Sequence, residues 1–184
     1  MPVGSTGPTP IYNIPADLIM PTTDIHDALA KVFAEIANGE TASGAPVVLN
    51  SGDVGLLRSI DKLSATDASQ STNDGATIAA HAQHLRYGLS LMNLWATEGG
   101  DPFSDAKWDE AWKLDKVDTQ SWDEIRNGLR HESRRWLQAL RTPRECSPDE
   151  FRGMIGSIAH FAYHLGAIRQ IHKATRGPTE GTFT

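Results

Sequence analysis

Apolar residues recur at three- and four-residue spacing in four long stretches of this chain, which is the period of an amphipathic helix. The first stretch carries Ile25, Leu29, Val32, Phe33 and Ile36. A capping run at Pro21, Thr22, Thr23 and Asp24 precedes it, and Gly39 ends it. The second covers 77–97, with Ala80, His84, Gly88, Leu91 and Trp95 on one face and Gly99 and Gly100 as its stop. The third starts near Ser121, read as its N-cap, and places Trp122, Ile125, Leu129, Trp136, Leu137 and Leu140 on one stripe. The fourth is announced by Ser147, Pro148, Asp149 and Glu150: a cap, a proline at the first helical position and acid in the first turn. It runs to about residue 174, with Ile155, Ile158, Ala162, Leu165 and Ile168 recurring along it.

Between these stretches the pattern breaks. Residues 54–63 predict a short amphipathic helix, while 40–53, 64–75 and 98–120 read as connections rich in Gly, Pro, Ser, Thr and Asp. The last of them holds Trp108 and Trp112 at i,i+4 spacing. That predicts a helical turn held to the body of the protein by aromatic area. No strand-like alternation extends beyond Val47, Val48 and Leu49. The predicted fold is all-α, a four-helix bundle with additional short helices in long connections. It forms one domain over 21–176, between an irregular Pro- and Gly-rich arm at 1–20 and a tail at 177–184.

Composition narrows the function classes. The chain has 184 residues, 39% hydrophobic and 22% charged, as expected of one soluble domain with a real core. Its net charge of −6 is spread without long runs, which argues against a nucleic-acid surface. The cluster Arg130, Arg134 and Arg135 therefore reads as a solvated face. No apolar run approaches the ~20 residues of a membrane span, and no secretory signal pattern is visible, so a cytoplasmic location is expected. The one cysteine, Cys146, rules out an internal disulfide and has no visible base partner.

The chemistry lies in the histidines. His160 and His164 sit at i,i+4, so both rings project from one side of the fourth helix, at the edge of its apolar arc. His84 lies on the inward face of the second helix, and His81 lies about 60° round the wheel from it. Small residues flank both sets: Ala80 and Gly88 beside His84, and Gly156, Ser157 and Ala167 beside the pair. Bundle metal sites are built from side chains on facing helices in this way, and neutral imidazole suits a divalent metal. Three histidines leave at least one position open for water or substrate. The competing reading is histidines that only pack or hydrogen-bond in the core. His26 is read as a packed residue at the end of the core, His131 as solvated, and His172 as a helix C-terminal residue. The pair lacks the glutamate of a zinc-protease helix, because Phe161 follows His160.

The run 160–170, with His160, Tyr163, His164, Leu165 and Arg169, resembles the last-helix motif of the DinB-like (damage-inducible) metal-binding superfamily. The run 77–87 is similar to that family's second helix, whose single histidine matches His84 best. Trp108, Trp112 and Trp122 are similar to the tryptophan-rich connection of some members. The resemblance covers roughly 22–174. It implies an up-down-down-up bundle with a three-histidine site of His84, His160 and His164, and leaves His81 as an extra ligand or a supporting neighbour. It further implies zinc or nickel as the metal, a homodimer, and in some relatives thiol-dependent transferase activity with a low-molecular-weight thiol. The small-molecule substrate does not carry over.

Overall fold

The computed structural model describes residues 21–39 and 45–178. The arm expected at 1–20 and most of the expected tail lie outside them. Among these residues six α-helices form in chain order: α1 Thr22–Asn38, α2 Gly55–Ile60, α3 Ala65–Ala68, α4 Ile78–Glu98, α5 Thr119–Arg141 and α6 Pro148–Ile171. Single 3-10 turns lie at Ala111–Lys113 and Lys173–Thr175. No strand occurs among the described residues, so the fold is all-α as expected. None of their helices is long and apolar enough to cross a membrane.

The helix starts depart from expectation in two places. At α1 the cap position is Pro21, and no side chain caps it. The first turn closes instead through the N–H groups of Asp24 and Ile25 donating to Pro21 O, at 3.0 and 3.2 Å. At α5 the cap is Asp118 rather than Ser121. Its carboxylate accepts the Ser121 N–H at 2.7 Å, so the helix begins earlier. The cap of α6 is the expected one, with Ser147 and Glu150 satisfying each other's backbone N–H groups. The same device at Ser64 and Asp67 forms α3, within a stretch expected to be loop.

Four long helices frame the core, and Leu56 and Ile60 of α2 are buried in it. α1 packs on α5 and α6, and α4 packs on the same two helices. Their senses follow from contacts along their lengths. His26, near the start of α1, bonds Leu140 O at the end of α5, so these two run antiparallel. Arg86 lies against Gly128, and Asn93 bonds Glu132 O, so α4 and α5 run parallel. His81 faces His164 and His84 faces His160, so α4 and α6 run antiparallel. A parallel neighbour cannot be reached by a tight turn, which accounts for the long connection between α4 and α5. Its Leu114 carbonyl accepts from Thr77 Oγ1, and its Val117 N–H donates to Ser69 Oγ.

The core is filled by Phe33, Ile36, Leu85, Trp122, Leu129, Trp136, Met154, Phe161 and Ile168, all essentially buried. Both core indoles find acceptors: Trp122 Nε1 donates to Leu63 O at 2.9 Å and Trp136 Nε1 to Ser157 Oγ at 3.0 Å. The expected stripes hold on α5. On α1 the buried face is centred on Ala30, Phe33 and Ala37, and Ile25 and Leu29 are only partly covered. On α6 Met154 and Phe161 take the core side, while Ile155 is 47% exposed.

Two buried acids tie the loops to this frame. The Glu35 carboxylate accepts the N–H groups of Val47, Val48 and Leu49, at 2.6 to 3.2 Å, and so absorbs the only strand-like run of the sequence. Asp53 holds Arg169 through two 2.7 Å contacts and accepts the Gly55 N–H at 2.9 Å, which fastens the loop before α2 to the end of α6. Gly39 and Gly55 meet back to back, both with positive φ. A Cβ on Gly55 would lie 2.4 Å from Gly39 N.

Candidate metal centre

Three ring nitrogens converge between α4 and α6. His160 Nε2 lies 3.1 Å from His84 Nε2 and 2.9 Å from His164 Nε2. The ligand atoms of His84, His160 and His164 all fall within 4.8 Å of one another, so the three could hold one metal ion. A tetrahedral ion with bonds of 2.0–2.1 Å holds its nitrogens about 3.3 Å apart. The two spacings from His160 are within a few tenths of an ångström of that value.

Hydrogen bonding alone serves this arrangement poorly. A neutral imidazole nitrogen carries either one proton or one lone pair. His160 Nε2 has two nitrogen neighbours at hydrogen-bond distance and can satisfy only one of them. A cation at the centre accepts a lone pair from all three rings at once.

The fourth ring enters from behind. His81 Nδ1 lies 2.8 Å from His164 Nδ1, on the side of the His164 ring away from the convergence. His81 is thus not one of the three converging residues, although its sequence position left that open. When His164 presents its Nε2 lone pair to an ion, its Nδ1 carries the proton and donates it to His81. A partner of this kind fixes the tautomer of a metal-ligating histidine. Among the described residues His84 lacks one: its Nδ1 is buried without a hydrogen-bond partner.

Burial keeps all four rings neutral, the form that binds metal. Desolvation comes first for His84, followed by the nearby rings of His160 and His81, and its pKa falls from 6.5 to about 4. His164 falls to about 3, again chiefly by desolvation and then through His160, His81 and His84. Desolvation also lowers His81 and His160.

The connection before α5 covers the cluster with aromatic rings. Trp112 stacks on His84, with ring centres 4.4 Å apart and planes at 28°, and reaches His81 and His164 at 5.5 and 5.9 Å. Trp108 tilts over His84 at 5.6 Å and meets Tyr87 edge-on at 5.5 Å. The Tyr87 hydroxyl accepts the Lys107 N–H at 3.0 Å and anchors that part of the connection. The i,i+4 spacing of the two tryptophans signalled a helical turn against the body of the protein. Their place over the histidines was not legible from it.

The remaining histidines stay away from the centre. His26 is buried between Leu140 O and Arg144 O, as expected of a packed residue, and His131 is largely exposed. His172 caps the last 3-10 turn by accepting the Ala174 N–H. Cys146 has a neighbouring base after all, His26 Nε2 at 3.9 Å, but that ring is already engaged by backbone groups. The Arg130 cluster is paired in part: Arg130 meets Asp61 at 2.6 Å and Arg135 meets Glu132 at 3.1 Å. Comparison with protein-family models, curated proteins and solved structures finds no match to this chain.

Proposed function

We propose that this chain is a DinB-like protein, an up-down-down-up four-helix bundle whose His84, His160 and His164 hold one divalent metal ion, zinc or nickel. The senses of α1, α4, α5 and α6 support the bundle, and the resemblance of the two histidine helices supports the family. The observation that carries the metal is the convergence of three Nε2 atoms that hydrogen bonds cannot jointly satisfy.

On this reading the protein is a metal-dependent enzyme of thiol-transferase or hydrolase type. A bound ion with an open position lowers the pKa of a coordinated water or low-molecular-weight thiol and makes it nucleophilic at neutral pH. The chain's own residues then have separate tasks. His84, His160 and His164 supply neutral nitrogens, His81 holds the tautomer of His164, and Trp108 and Trp112 shield the rings from water. The test is a panel of thiol-transfer and ester-hydrolysis assays on zinc- or nickel-loaded protein beside stripped protein and His160→Ala. Turnover confined to the loaded wild type is the expected result.

A second reading is a non-enzymatic stress-response bundle that binds a small ligand or partner, with a structural metal or none. One observation favours it. No carboxylate joins the histidine group among the described residues, the Tyr87 hydroxyl is engaged with backbone, and Tyr163 is 68% exposed. A general acid or base is therefore not at hand. Bound metal with no turnover across the whole panel selects this reading.

A further inference from the structure

Beside the histidines, α4 and α6 leave a cavity of about 230 Å³. Leu85, Leu89 and Met92 from α4 and Phe161 from α6 form its walls, and Phe103 and Trp108 from the long connection line its open side. An apolar cavity of about 150 Å³ already accommodates benzene.

Two further lining residues are glycines within helices, Gly88 and Gly156. Glycine weakens a helix interior, so its presence there calls for a reason. The backbone gives none, since neither residue has positive φ. Close packing gives none either. A Cβ on Gly156 would meet nothing within 4 Å, and one on Gly88 would make an ordinary 3.6 Å contact with Trp108. Gly88 widens the space from the α4 side, and Gly156 keeps its solvent-exposed rim open.

The lining carries no charge, and its polar members are Ser157 and His160. Ser157 Oγ is already used, donating to Met154 O at 2.7 Å and accepting from Trp136 Nε1 at 3.0 Å. His160 is left, and its Nε2 belongs to the converging trio. A second hollow of about 380 Å³ shares Met92 and Phe103 with the first and extends toward Asp149 and Glu150 at the start of α6.

We propose that this cavity is the binding site for the body of the ligand. The ligand class is a small uncharged molecule with an aromatic ring or branched aliphatic group, and with one oxygen or sulfur donor directed past His160 to the metal. The inference rests on the metal reading for the donor, and on the cavity alone for the apolar body.

Two probes with the same metal-binding head separate these parts: acetohydroxamate and benzohydroxamate. On zinc-loaded protein, calorimetry should show benzohydroxamate binding about 10-fold or more tightly, because burial of a phenyl ring is favourable. Gly156→Leu fills the cavity and should abolish that preference while acetohydroxamate binding and zinc content stay unchanged. Gly88→Leu, which fills it from the α4 wall, serves if the first variant does not fold. Fluorobenzene followed by 19F NMR on stripped protein needs no metal. It should bind the wild type and fail to bind the filled variant. Equal affinity for the two hydroxamates, or fluorobenzene that binds neither protein, overturns the proposal. If the protein takes up neither zinc nor nickel, the hydroxamates bind nowhere and the metal reading fails, while fluorobenzene alone still decides the cavity.

Discussion

Acid should destabilise the metal-free protein well above the pH at which carboxylates titrate. The perturbation is a change from pH 7 to pH 5 on protein stripped of metal. His84 and His164 have ordinary pKa values of 6.5 that burial and neighbouring rings lower to about 4 and about 3. A group of this kind binds fewer protons folded than unfolded, so stability is full above about pH 6.5 and declines as pH falls toward the folded value. At pH 5 each ring costs about 2 kcal/mol, and the two together about 4 kcal/mol. His81 and His160 are shifted in the same direction and add to the loss. For a domain of this size that corresponds to a fall in Tm of about 8–16 °C. The acids with lowered pKa, such as Asp67, Asp118 and Glu150, lose their contributions at lower pH and leave this window clear. Scanning calorimetry at pH 7 and pH 5 reads the effect, and His164→Leu should lessen it by about 2 kcal/mol by removing one titrating ring. A Tm that stays within about 2 °C across this range in the wild type would show that the rings are not buried and crowded as described.

Other outcomes test other parts of the structure. Asp53→Ala leaves the Arg169 guanidinium without its buried partner and should cost about 3–5 kcal/mol in urea unfolding. A cost under about 1 kcal/mol is what an ordinary surface pair gives. Gly55→Ala places a Cβ against Gly39 N at a φ of +73° and should cost at least about 2 kcal/mol, measured as a drop in the urea midpoint. Nickel titration should quench tryptophan fluorescence because Trp112 stacks on His84. Trp112→Phe should remove most of the quench without changing nickel stoichiometry.

How much of this was readable in the sequence depends on the range of the interaction. Stripes such as Trp122, Ile125, Leu129 and Trp136 were legible because one-sided burial imprints a helical period. The two histidine faces were legible for a related reason: i,i+4 spacing puts His160 and His164 on one side, and small residues beside His84 mark its helix as the facing one, while the choice of His84 over His81 rests on the family resemblance. Contacts decided by chain folding left no local trace. Asp53 finds Arg169 at a separation of 116 residues, and nothing near either residue identifies the pair. Glu35 is buried because three backbone N–H groups of the next loop donate to its carboxylate, a pairing that no local pattern signals. The start of α5 was misplaced because Asp118 and Ser121 are both good caps, and the chain uses the earlier one.

The central claim is that His84, His160 and His164 share one ion, and elemental analysis of the purified protein tests it most directly. The wild type, dialysed against zinc or nickel and then against buffer, should carry one metal per chain, and His84→Ala and His164→Ala should each lose most of it. Stoichiometric metal retained in both variants, or none held by a folded wild type, would contradict the account.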